Sequence, residues 1–247
     1  YAESTEELYD AYRLYALMTD GLNADDRAAF HQAAAFAGRY ANSEFLPRFA
    51  EKVLESRQTL LQLDDEYAKE VFGFLIENYS IVEETTREKI RTAVVDKVLA
   101  DFLNSASGES AFEAFYAEVD RMCRKERFSI ATELMRPENR DKLFAVMKES
   151  AVTWKISFII KILCSFVKDN HLPEEELQIE AGVGRLFYGI IQSVYSVNPE
   201  NGFFLVTRIL DHFADHAAYF SNMALNMEGI LLDLQDGHTR ADNMWRY

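Results

Sequence analysis

Asp211-His212-Phe213-Ala214-Asp215-His216 holds the side chains in this sequence best suited to chemistry. On a helix, His212 and His216 stand one turn apart, so their imidazoles project side by side and can share zinc or a similar ion. The same geometry sets both on the edge of an apolar face, in line with Ile209 and Tyr219. Asp211 and Asp215 turn toward the polar side with Arg208 and Asn222, which makes them poor partners for that ion. A third ligand has to come from another helix, and the Glu that hydrolytic zinc helices place beside paired histidines is missing. The competing reading is a pair of boundary histidines hydrogen-bonded to neighbours or water. His31, His171 and His238 are isolated, and no Glu-x-x-His tetrad of the di-iron type occurs.

Residues 121–148 form a locally basic stretch, in which Arg121, Arg124, Lys125, Arg127, Arg136, Arg140, Lys142 and Lys148 outnumber Glu126, Glu133, Glu138 and Asp141. In an acidic chain such a stretch can dock a phosphate, an acidic peptide or the acidic N-terminal half of a second copy. Its plainer reading is a solvated face balanced by nearby carboxylates. Gly182-Val183-Gly184-Arg185-Leu186-Phe187-Tyr188-Gly189 imitates a phosphate loop, but its spacing fits neither the dinucleotide nor the P-loop fingerprint, and no strand precedes it. Gly182 and Gly189, two turns apart, are expected to admit a closely approaching helix. Lys155, beside Trp154, is expected to snorkel from a helix edge, the alternative being a buried amine with a lowered pKa. No cofactor is implied.

The elements that would position these groups are helical throughout. The 247 residues include only 4 Pro and 10 Gly, and no alternating strand pattern bounded by turn residues survives. The first helix is expected over Thr5–Asp20, opened by a Ser4/Glu7 capping box, lined by Leu8, Tyr12, Tyr15, Met18 and Leu22, and closed by a left-handed Gly21. Asn23 is positioned to cap a second through Phe30, Ala33 and Ala37. A third follows from about Asn42 through Pro47, Phe49, Val53 and Leu60, a fourth from Asp64, and a fifth from a capping box at Ser80. Asn104 to Gly108 reads as a linker, so any subdomain boundary falls near 104–109. Helices over Ser110–Lys125 and Ser129–Met135 come next, then a long run from Pro137 to about Lys168 that includes the apolar stretch Ala151–Val167 as a buried helix. Asn170 to Pro173 breaks it, and Asn198-Pro199 opens the last and longest helix. Phe203, Val206, Leu210, Phe213, Ala217, Phe220, Ala224, Met227, Leu231 and Leu234 keep a heptad seam along that helix.

The expected fold is therefore all-α: one domain over residues 1–247, an irregular array of about nine to ten antiparallel helices, arranged as helical hairpins in the manner of an α-solenoid. No fixed repeat period aligns. A formal charge of −15, concentrated in residues 1–124, argues against a general nucleic-acid binder. The 17-residue apolar run, interrupted by Lys155 and Lys161, falls short of the roughly 20 residues that cross a bilayer. Two unpaired cysteines, Cys123 and Cys164, fit a reducing, cytoplasmic setting. Together these features favour a non-catalytic interaction or scaffolding domain with a protein partner, cut from a larger protein. Two alternatives stay open: a metal-dependent enzyme at His212 and His216, and a homodimer joined through the heptad face of the last helix.

Overall fold

A computed structural model describes residues 5–40, 45–104, 108–149, 153–173, 182–202 and 204–205. These residues are predominantly helical, with no strand among them, and the protein is all-α. The chain divides into two compact units, Tyr1–Glu133 and Leu134–Tyr247. The division lies after the short helix α8 has begun, whereas residues 104–109 join two helices that pack on each other inside the first unit.

In the first unit α1 (Thr5–Asp20) packs on α2 (Arg27–Tyr40) and α3 (Phe45–Glu55). Gly21 ends α1 in the left-handed region, with φ +84°, and its amide donates to Leu17 O at 3.0 Å. The next amide, Leu22 N, donates to Ser56 Oγ at 2.9 Å, which ties this turn to the end of α3. A Cβ at Gly21 would stand 2.7 Å from that hydroxyl. Gly21→Ala is therefore expected to cost about 1–2 kcal/mol, from the left-handed backbone and the lost contact together, read as a lower urea midpoint at unchanged slope. An unchanged midpoint would mean that this turn is not held as described.

Helix starts follow side-chain acceptors, though not always the expected ones. Asp26 caps α2, accepting from Ala29 N at 2.9 Å, while Asn23 accepts from Asp25 N at 3.0 Å and shapes the turn before it. Asp64 caps α5 (Asp65–Glu77), accepting from Tyr67 N at 2.8 Å. Leu60 does not continue α3: the helix breaks at Ser56, and α4 (Arg57–Gln62) carries it. α6 (Glu84–Asn104) begins past the expected Ser80 box, because residues 78–82 form turns whose Tyr79 and Ser80 carbonyls are taken by the Arg87 guanidinium at 3.0 and 2.9 Å. α7 (Gly108–Lys125) packs on α5 and α6. α8 (Ile130–Leu134) follows, with Thr132 N bonded to Ser129 Oγ at 3.2 Å.

Burial follows the apolar periodicity of α2, α3, α5 and α6. Phe30 meets Phe49, Tyr67 and Phe74 at ring-centroid distances of 6.4, 5.8 and 6.0 Å, a cluster that joins α2, α3 and α5. Ile90, Val94, Val98 and Phe102 of α6 are buried, and Phe102 meets Phe112 of α7 at 5.8 Å.

In the second unit the run from Pro137 forms two helices, α9 (Pro137–Glu149) and α10 (Thr153–Asp169), instead of one. α10 is the expected buried helix, with Ile156, Phe158, Ile159, Ile162 and Leu163 inside. Lys155 does not snorkel: it is buried, with its ammonium 5.6 Å from the centroid of the Trp154 ring. The chain turns at His171, with φ +48°, and the 182–189 glycines lie in α11 (Gly182–Val197), which packs on α9. A Cβ at Gly189 would meet nothing within 4 Å. The close approach occurs instead at Gly202, where a Cβ would lie 2.7 Å from Tyr195 Cβ and 2.8 Å from its Cα. Asn198 supports that turn by accepting from Asn201 N at 3.2 Å.

Candidate docking surface

α1 has two apolar stripes, and only one can face the unit. Leu14 and Leu17 form the first, and both are buried, as is Leu22 just beyond the helix. Leu8, Tyr12 and Tyr15, spaced four and three apart, form the second and are 66%, 65% and 66% exposed. This corrects the expected core line of α1, and the chemistry of the side chains gives the reason. Burying leucine removes only apolar surface from water, whereas a buried tyrosine must also find a partner for its hydroxyl. The leucine stripe therefore turns inward. Met18, the remaining member of the expected line, is half-buried at the edge.

The neighbours of the exposed stripe fix the orientation of α1. Arg39 of α2 reaches Asp10, on the side of α1 that carries Leu14 and Leu17, at 3.4 Å and so links the two helices. The Arg13 guanidinium lies 4.5 Å from the centroid of the Tyr9 ring, a cation–π contact on a ring that is itself 59% exposed. Three tyrosines and a leucine thus stand out of the core along one helix. Exposed aromatics gathered in this way, unlike apolar residues scattered singly over a surface, have the composition of a protein-binding patch.

The polar groups inside the first unit serve the fold. Lys97, 3% exposed, donates to Leu63 O at 2.7 Å and to Asp101 Oδ1 at 2.8 Å, and its ammonium lies 5.9 Å from the Phe115 ring centroid. It thereby satisfies a carbonyl left open where α4 ends. Asp101 Oδ2 is buried and accepts no hydrogen bond among the described residues. Burial pushes the Asp101 carboxyl above its usual range, against the opposing pull of Lys97. Because the folded value is raised, this group favours the fold fully below the unfolded value and loses that contribution as pH rises through the folded one. The stability difference between wild type and Asp101→Asn should accordingly shift against the wild type as pH rises through that window. Denaturant melts across mildly acidic pH check this, and a pH-independent difference would contradict it.

Around Tyr79 the pattern is similar. Its ring stacks on Phe128, its hydroxyl accepts from Arg91, and Arg91 also reaches Glu84 at 2.7 Å and pairs with Glu88. Burial raises the Tyr79 phenol and the nearby Arg91 partly offsets this. A cavity of about 290 Å³ opens beside Glu51, Glu55, Glu88, Lys89 and Thr92. Its carboxylates are already engaged: Glu51 by the Thr86 hydroxyl at 3.0 Å, Glu55 by Lys52 at 2.9 Å, and Glu88 by Arg91. Cys123 and Cys164 are free and buried, and burial raises both thiols, that of Cys164 to about 12, so neither has nucleophile character.

His212 and His216, and every member of the heptad line from Phe203 to Leu234, lie outside the described residues. No group of three or more metal-ligating side chains occurs among the described residues. The basic stretch is divided between the two units. In the first, Arg121 pairs with Glu118 at 3.1 Å and Arg124 with Asp120 at 2.6 Å, while Lys125 and Arg127 are exposed and Arg127 turns the chain at φ +59°. In the second, Arg136 and Lys142 are exposed and Arg140 lies 3.6 Å from Asp141. The Arg121 and Arg124 pairs are three and four residues apart, so those two cations balance their own helix, whereas Arg140 and Asp141 are sequence neighbours. No described helix is long and apolar enough to cross a membrane. Compared with protein-family models, curated proteins and solved structures, the chain matches none.

Proposed function

We propose that this chain is a non-catalytic interaction domain whose helical hairpins carry a docking surface on α1. The observation that supports this is the exposed line Leu8, Tyr12 and Tyr15, opposite a leucine stripe that already anchors the helix. Tyrosine suits such a role because it offers a large, rigid contact area at low conformational cost, with a hydroxyl that is satisfied by water in the free state. The engaged carboxylates of the cavity and the raised thiols agree with a protein that works by shape. Two free buried cysteines fit a reducing, cytoplasmic setting.

The test compares the full chain with Tyr12→Ser/Tyr15→Ser as immobilised baits in quantitative retention from native extract. A partner recovered in stoichiometric amount by the wild type and reduced about tenfold or more on the variant is expected. Equal retention by both would contradict docking on α1.

A further inference from the structure

We draw no further inference here: the strongest candidate, the exposed patch of Leu8, Tyr12 and Tyr15 on α1, carries nothing beyond the docking surface already proposed, because nothing in the structure shows what covers it.

Discussion

Lys97→Met is expected to destabilise the first unit by about 3–5 kcal/mol, the range for removing one partner of a buried ion pair. The ammonium is nearly inaccessible, and it holds both the Asp101 carboxylate and the Leu63 carbonyl. Methionine fills similar volume but leaves the carboxylate and the carbonyl buried without a donor, so the loss is in polar satisfaction rather than in packing. Asp101→Leu added to Lys97→Met should recover much of the deficit, because exchanging a whole buried pair for apolar side chains is far less damaging than halving it. Equilibrium urea unfolding of the single and double variants measures both. A Lys97→Met midpoint equal to wild type would show that the ammonium is not engaged as described.

Phe30→Ala should cost a comparable 3–5 kcal/mol, for a different reason. The ring is 1% exposed and touches Phe49, Tyr67 and Phe74, so its removal takes apolar surface out of the core and leaves a cavity among three rigid neighbours that cannot collapse into it. Phe30→Leu should recover a substantial part of the loss by refilling most of that volume. The Tyr12→Ser/Tyr15→Ser variant offers the contrast: both rings project from the unit, and its thermal midpoint should stay close to wild type. Large destabilisation there and little at Phe30 would invert the assignment of core and surface.

The helical fold was legible because burial in this chain follows single, well-spaced lines. Ile90, Val94, Val98 and Phe102 recur at helical intervals along α6 and are buried, and Gly21 takes the left-handed position that its place after the first helix requires. α1 was harder to read, because two apolar lines compete and periodicity alone cannot rank them; the phenol hydroxyls decide which stays in water. Lys97 and Lys155 show a second limit. A cation in a helix reads as a solvated residue until the acceptors or ring beside it are known, and for Lys97 the Leu63 carbonyl comes from 34 positions away. The basic stretch spans the division of the chain at Glu133 and Leu134, so Arg121, Arg124, Lys125 and Arg127 belong to one unit and Arg136, Arg140 and Lys142 to the other.

The most direct test of the α1 face is hydroxyl-radical footprinting of the whole chain, free and bound to the partner that the wild type retains from native extract. Tyr12 and Tyr15 should label rapidly in the free protein and become protected in the complex, while the buried Tyr67 and Tyr116 stay slow in both. Tyr12 and Tyr15 already protected in the free chain, or labelled equally in both states, would contradict the docking surface.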